Sequence, residues 1–192
     1  PDVPATGSYQ SAITQKHLLG DVEGATWDAS ATLINTGTVR VRAIASSSDG
    51  NATATVYGGI AQVASVETKG RTATAVMNNS GTTEVSAAAS GAGTVTASFG
   101  TGGETGSPAV RQFVFSAKSP DVTTTGTGSI LNSGSVTIAA SATPLIAGTT
   151  SAKASVTGGI VQQVQATGRG NSNLTAGVNN TGTLNFNAKI GR

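Results

Sequence analysis

Short stretches in which apolar and polar residues alternate recur along the chain, and each is bounded by glycine or asparagine. Alternation with a period of two places successive side chains on opposite faces of a β-strand. Clusters of Gly, Asn and Ser between such stretches are typical of turns. The pattern therefore predicts an all-β protein built from short strands that each have a buried and an exposed face.

One stretch occurs four times, and each copy starts with Asn-Thr/Ser-Gly before it continues as a strand. The copies begin at residues 35, 79, 132 and 180, so successive copies lie 44, 53 and 48 residues apart. We expect the first and third residues of each copy to form the turn. These turn positions are Asn35, Gly37, Asn79, Gly81, Asn132, Gly134, Asn180 and Gly182.

The strand after each turn has the same two faces in all four copies. The face that we expect to be buried carries mostly apolar residues, namely Val39, Thr83, Val136 and Leu184, followed by Val41, Val85, Ile138 and Phe186. The face that we expect to be exposed is mostly polar and begins with Arg40, Glu84, Thr137 and Asn185. Such a match in four copies indicates a repeat protein.

A second repeated stretch, with the pattern Gly-Gly-Ile-x-Gln, lies between these copies at 54–62 and 154–162. A third copy is predicted at 94–100, followed by an inserted loop near 101–108. Gly58 and Gly158 lie near the middle of the longer period, which would divide it into coils of roughly 21–26 residues. This interpretation predicts a β-solenoid of about 7–8 coils, a rod about 35–40 Å long. The alternative is an antiparallel β-sandwich, which does not explain four copies of one turn.

The composition agrees with a solenoid, because Ala, Gly, Thr and Ser make up 106 of the 192 residues. Stacked coils enclose a narrow interior that small side chains fill, and we expect glycine at the corners to adopt left-handed backbone angles. Residues 1–31, which contain a local cluster of charges, are expected to form an N-terminal arm and cap, with a short helical turn at 15–19. Residues 32–192 are expected to form the solenoid.

The strand pattern continues almost to the last residue, so the final coil is expected to have an open edge. Open edges of sheets are templates for association with another strand. The candidate assembly edge is formed by Leu184, Phe186 and Ile190.

The sequence predicts no catalytic, cofactor or metal site. There is no cysteine, and a single histidine, His17, excludes a cage of histidines around a metal ion. His17 lies near Asp21 and Glu23, which would allow a catalytic pair, but a capping role is the simpler interpretation. The net charge is only +2 and the basic residues are dispersed, which argues against nucleic-acid binding. No apolar stretch approaches the ~20 residues of a membrane span.

The Asn-Asn-Ser-Gly-Thr and Gly-Gly-Ile-x-Gln stretches resemble the repeats of bacterial surface β-solenoids, such as autotransporter passenger domains and large secreted adhesins. The resemblance extends over about residues 32–190. It implies a non-enzymatic rod that is exported to the bacterial cell surface or beyond it. The chain departs from the autotransporter pattern because it has no C-terminal membrane β-barrel, so we expect either a fragment or a different kind of assembly.

We expect an extracellular structural protein whose copies join end to end into a filament or fibre. The first alternative is an adhesin or passenger fragment that binds a host or matrix ligand, such as a surface glycan. A second alternative is an ice-binding solenoid, because Thr-x-Thr pairs such as Thr36/Thr38 and Thr72/Thr74 could form ladders of threonine.

Overall fold

The computed structural model describes residues 5–9, 13–20, 27–67, 71–99, 108–146 and 151–191. Within those ranges the chain forms β-strands and no helix. Every pairing between neighbouring strands is parallel. The predicted β-solenoid is therefore confirmed. The antiparallel sandwich is wrong, because strands pair with their equivalents in the next coil and not with their neighbours in sequence.

The strands fall into four coils of four strands each. The first coil contains β1 (Ala5–Tyr9), β2 (Ile13–Leu19), β3 (Ala29–Asn35) and β4 (Thr38–Ser47). The second contains β5 (Ala52–Val56), β6 (Ile60–Val66), β7 (Thr72–Asn79) and β8 (Thr82–Gly91). The third contains β9 (Val95–Phe99), β10 (Val110–Ala117), β11 (Thr124–Asn132) and β12 (Ser135–Pro144). The last contains β13 (Ala152–Val156), β14 (Ile160–Thr167), β15 (Ser172–Asn180) and β16 (Thr183–Ile190).

Equivalent strands of the four coils stack into four sheets, so that β1, β5, β9 and β13 form the first sheet and β4, β8, β12 and β16 the fourth. The first and fourth sheets enclose one apolar cluster, and the second and third sheets enclose another. A third cluster around Met77 and Ile130 lies between residues of these sheets near the Asn-x-Gly turns. The first coil and the last coil are the two ends of the stack.

The predicted number of coils is wrong, because the whole period and not half of it forms one coil. Asn35 pairs with Asn79, Asn79 with Asn132, and Asn132 with Asn180. Residues Ile60 and Ile160 of the second repeated stretch pair through Val110 in a different sheet. The Asn-x-Gly stretch and the Gly-Gly-Ile-x-Gln stretch therefore form different corners of one coil. Each stacks only on the equivalent corner of the next coil. Four coils separated by ~4.8 Å extend about 15 Å between the first and last strands, instead of 35–40 Å.

The third copy of the second repeated stretch is present, but an insertion divides it. Strand β9 is in register with both β5 and β13, and Val110 then resumes the second sheet opposite Ile60. Most of the expected loop at 101–108 lies outside the described residues, which stop at Phe99 and resume at Pro108. An insertion at a corner leaves the strands on either side in register.

The expected N-terminal arm and cap over 1–31 is wrong for the part of that segment that the structure describes. Strand β1 pairs with β5 and strand β2 pairs with β6, so both belong to the first coil. The expected helical turn at 15–19 is also wrong, since these residues lie within β2. Alternation of Ile13, Gln15, His17 and Leu19 with exposed residues favours a strand there.

The predicted inside and outside columns of the fourth sheet are confirmed. Val41, Val85 and Ile138 are in register and buried, and Phe186 continues their column in the last coil. Elsewhere the interior is filled mainly by alanine and valine, with Phe99, Ile60 and Met77 as the largest fully buried side chains. The facing sheets lie close together and leave room mainly for small side chains, which accounts for the high content of small residues.

The glycines of the Asn-x-Gly turns are needed for space and not for left-handed backbone angles. The expected left-handed angles are therefore wrong at these turns, although Gly158 has one at another corner. Among the described residues, positive φ angles occur at Gly158, Gly168 and Gly170 and not at these turns. A Cβ atom on Gly134 would collide with the carbonyl oxygen of Gly81 in the coil before it. Stacked turns therefore approach so closely that a side chain has no room.

We expect Gly134→Ala to destabilise the solenoid by several kcal/mol, because backbone atoms must move to admit the methyl group. The matched control is Gly37→Ala, since a Cβ on Gly37 in the first coil meets nothing within 4 Å. Thermal and denaturant unfolding of the two variants measures the difference. Equal losses of stability would contradict steric stacking as the reason for glycine at this position.

Candidate functional site: the amide ladders and the two ends

The eight predicted turn residues come together as a stacked corner between the third and fourth sheets. The backbone of each turn is hydrogen-bonded to the turn of the preceding coil. The N–H groups of Ser80 and Gly81 both donate to the carbonyl oxygen of Asn35, and the N–H group of Thr82 donates to the carbonyl oxygen of Gly37. The same three bonds recur between the second and third coils and between the third and fourth. The turns are thus a continuous structural element along the axis.

The four turn asparagines form a ladder of side-chain hydrogen bonds through the interior. Asn35 Nδ2 donates to Asn79 Oδ1 at 2.7 Å, and Asn79 Nδ2 donates to Asn132 Oδ1 at 2.6 Å. Asn132 Nδ2 in turn donates to Asn180 Oδ1 at 2.5 Å. Asn79 and Asn132 are buried, and each Nδ2 also donates to a backbone carbonyl of the next coil. We call this column the asparagine ladder.

A second ladder, which the sequence analysis missed, consists of Gln15, Gln62, Gln112 and Gln162 in the second sheet. Gln62 Nε2 donates to Gln15 Oε1 at 3.0 Å, and Gln112 Nε2 donates to Gln62 Oε1 at 2.8 Å. Gln162 Nε2 donates to Gln112 Oε1 at 2.6 Å. We call this column the glutamine ladder.

The glutamine ladder also joins the second sheet to the third sheet across the core. Each glutamine donates from Nε2 to a backbone carbonyl in its own coil, at Thr32, Val76, Ser129 and Gly177. Gln62 and Gln112 are fully buried, where an amide without partners would be destabilising by about 1–3 kcal/mol. Register between coils and spacing between walls are therefore set by the same side chains.

A sequence signal for the glutamine ladder was present. An Ile/Val-x-Gln triplet occurs in all four coils, at 13–15, 60–62, 110–112 and 160–162. Only the second and fourth triplets follow Gly-Gly, so the Gly-Gly-Ile-x-Gln pattern does not include the other two. Polar residues at an otherwise apolar face indicate a buried network when they recur in one column.

The two ladders have opposite polarity. In the asparagine ladder the NH2 group of each coil donates toward the last coil. In the glutamine ladder the NH2 group donates toward the first coil. The amide dipoles of the two columns therefore oppose each other along the axis. Each end of the solenoid consequently carries one terminal amide of each polarity.

The core-facing side of the last coil is apolar and open to solvent. Leu174, Val178, Phe186 and Ile190 lie in the columns that are buried in earlier coils, yet they are 43%, 51%, 52% and 54% exposed. Leu184 packs against the first apolar cluster and is partly buried. The structure thus places the three residues of the candidate assembly edge, Leu184, Phe186 and Ile190, together in β16. We call this surface of β14–β16 the tail face.

The first coil presents a different end, which we call the head face and define by β2–β4. Some of its core-facing side chains are small and buried, as at Ala29, Val41 and Ala45, which are 1%, 3% and 4% exposed. Others, such as Ile13, Leu19 and Leu33, are larger and only partly buried. His17 Nδ1 lies 2.9 Å from the backbone nitrogen and 2.8 Å from the carbonyl oxygen of Ser30 in the edge strand β3. His17 thus caps an edge strand, but from β2 and not from a loop. Asp21 and Glu23 lie outside the described residues.

A charged cluster lies on the outer side of the fourth sheet. Glu84 bonds to Arg40 through Nε at 3.1 Å and to Arg42 through Nη2 at 2.6 Å. Partial burial alone would raise the pKa of Glu84, but its hydrogen bonds to Arg42 and Arg40 and their charges outweigh this and lower it. The cluster joins the first coil to the second on the exposed surface.

Other chemistry is sparse in the part of the chain that the structure describes. Among those residues, no three His, Cys, Asp or Glu side chains are grouped to hold a metal ion. The described ranges also contain no helix with the length and hydropathy required to cross a membrane. The most distinctive features of the described structure are the two ladders, which run through all four coils, and the surfaces of the first and last coils.

We expect Asn79→Ala to lower the free energy of unfolding by about 2–4 kcal/mol, because the buried amides of Asn35 and Asn132 each lose a hydrogen-bond partner and the variant leaves a cavity. The matched control is Asn78→Ala, which removes an amide from the adjacent outward position of the same strand and should change stability by less than about 0.5 kcal/mol. Urea unfolding measures both variants. Similar losses in the two would contradict a stabilising asparagine ladder.

We expect Glu84→Gln to lower stability at pH 7 by about 0.5–1 kcal/mol, since the arginines lose their carboxylate. The folded pKa of Glu84 lies below the unfolded value, so its contribution is complete above the unfolded pKa of about 4.3 and is lost as pH falls through the folded pKa. The stabilities of wild type and variant should therefore converge once the pH falls below the folded pKa of Glu84. Glu67→Gln is the control, and a difference that persists in acid would contradict the ion pairs as its cause.

Comparison with known proteins finds no family model, curated protein or solved structure that matches this chain.

Proposed function

We propose that this chain is a non-enzymatic structural protein whose solenoids join end to end into a filament. The observation that carries the proposal is the tail face, where residues of core type such as Phe186 and Ile190 are half exposed. Contiguous exposed apolar surface of this kind marks a site of association in soluble proteins. Covering it with another coil would bury it as the earlier coils bury their equivalents.

The backbone at both ends supports the same proposal. Among the described strands, β13–β16 and β1–β4 are the terminal strands of the four sheets, and each pairs with a described strand on one side only. Terminal strands expose unpaired N–H and C=O groups that another chain can pair with. Only 10% of the residues are charged, so few charges oppose such pairing. The four terminal strands at one end of the stack could all pair with strands of a second copy, as in β-strand addition.

We further propose that the filament lies outside a bacterial cell, at its surface. This location is supported by the resemblance of the repeats to bacterial surface β-solenoids. The absence of cysteine and the abundance of Thr, Ser, Asn and Gly are compatible with an extracellular setting. Adhesion to a surface or glycan ligand would use the outer faces of the same rod.

We expect purified protein to form unbranched filaments one solenoid wide as its concentration rises, visible by negative-stain electron microscopy and light scattering. Phe186→Asp should raise the concentration required at least tenfold, because a carboxylate would be buried in the apolar joint. Asn185→Asp, which adds the same charge to the outer face of the same strand, is the matched control. A wild-type protein that remains monomeric at every concentration would contradict the proposal.

A further inference from the structure

We propose that the filament is polar, with the tail face of one copy docked on the head face of the next so that both amide ladders continue across the joint. This inference rests on the proposed function, and it specifies the partner surface. The second copy is the occupant of the tail face. The first coil of the second copy would then stack on the last coil of the first copy, in the position that a fifth coil would occupy.

The polarity of the two ladders fits this joint. At the tail face, Asn180 Oδ1 already accepts from Asn132, and its Nδ2 group donates to the carbonyl oxygen of Gly182 in its own turn. Asn35 of the next copy presents an Oδ1 acceptor, as Asn79 does for Asn35 within the chain. In the other column, Gln15 of the next copy would donate from Nε2 to Gln162 Oε1, as Gln62 donates to Gln15. Donor meets acceptor in both columns.

Side-chain size is complementary between the two faces in three apolar columns. The register places Phe186 in the column of Val41, Ile190 in that of Ala45, and Leu174 in that of Ala29. In these three columns the tail face carries the larger side chain and the head face the smaller one. Stacking tail on head places large against small in these columns, whereas stacking tail on tail brings the large side chains of one face against those of the other.

A joint between two tail faces would also break the ladders. Such a joint is related by a two-fold axis and pairs the terminal strands antiparallel, so a residue faces its own equivalent only at the axis. Asn180 and Gln162 belong to different sheets and cannot both lie there. In the joint between tail and head, by contrast, all four strands stay parallel and both columns continue. His17 of the incoming copy would turn away from Ser30 to admit strand β15.

Cysteine cross-linking distinguishes these joints, because the chain has no cysteine of its own. Lys16 and Gln163 lie in one outward column, in the first and last coils. Within a chain they are three coils, or about 14 Å, apart, too far for a disulfide. Across the proposed joint they would be adjacent, at about 4.8 Å. The test mixes full-length Lys16→Cys and Gln163→Cys variants, lets them assemble and then oxidises them.

The expected product is a covalent dimer that contains one copy of each variant. Dimers of Gln163→Cys alone or of Lys16→Cys alone would overturn the polar joint in favour of a two-fold one. Filaments that form without the mixed dimer would also overturn it, while the proposed function would stand. Absence of filaments under all conditions would overturn the proposed function, and the polar joint with it.

A second variant tests the ladders at the joint. Asn180→Asp retains the oxygen that accepts from Asn132 and loses only the outward donor, so the monomer should fold normally. We expect the critical concentration for assembly to rise at least about tenfold. Asn187→Asp, which adds the same charge to the outer face of the last coil, is the matched control. Equal effects of the two variants would overturn the role of the ladder in the joint.

Discussion

Burial of primary amides in a narrow core is the constraint on which the rest of this structure depends. Asn79 and Gln62 lie in a nearly water-free interior, where an amide without partners is strongly destabilising. Each of these amides is bonded to the identical residue in the coil before it and in the coil after it. Every coil must therefore place asparagine and glutamine in the same two columns, and this requirement fixes the register of all four sheets.

The fixed register explains how coils of different length coexist. The third coil contains an insertion between β9 and β10, yet the asparagine ladder continues from Asn79 to Asn132 across 53 residues. Additional residues are accommodated at a corner, because a shift of one residue within a strand would turn its core-facing side chains outward. The stacked turn at Gly81 and Gly134 does not tolerate such changes, since it has no room even for a methyl group.

Much of the fold follows from the sequence. Alternation in the four Asn-x-Gly copies was sufficient to predict a solenoid and the inner and outer faces of the fourth sheet. The coil length was not predictable from spacing alone, because two kinds of corner alternate and periodicity does not say which corners stack. That answer depends on which side chains bond through the core, and only the register of the strands places Gln112 opposite Gln62.

The reason for the turn glycines also required three dimensions. Glycine in a turn usually indicates left-handed backbone, but at Gly134 the constraint is a carbonyl oxygen from another coil. Similarly, the charges near His17 suggested a separate cap, whereas His17 belongs to a strand and caps an edge of its own coil. In each case local sequence identified a special position and only packing showed its purpose.

The most direct test of the central claim is hydrogen exchange of side-chain amides, measured by NMR on the isotopically labelled monomer. If the two ladders hold the coils in register, the NH2 groups of Asn79, Asn132, Gln62 and Gln112 should exchange as slowly as backbone amides of the core strands. The outward amides of Asn78 and Asn179 should exchange rapidly. Rapid exchange at the four ladder positions would contradict the claim that buried amides determine how this chain stacks.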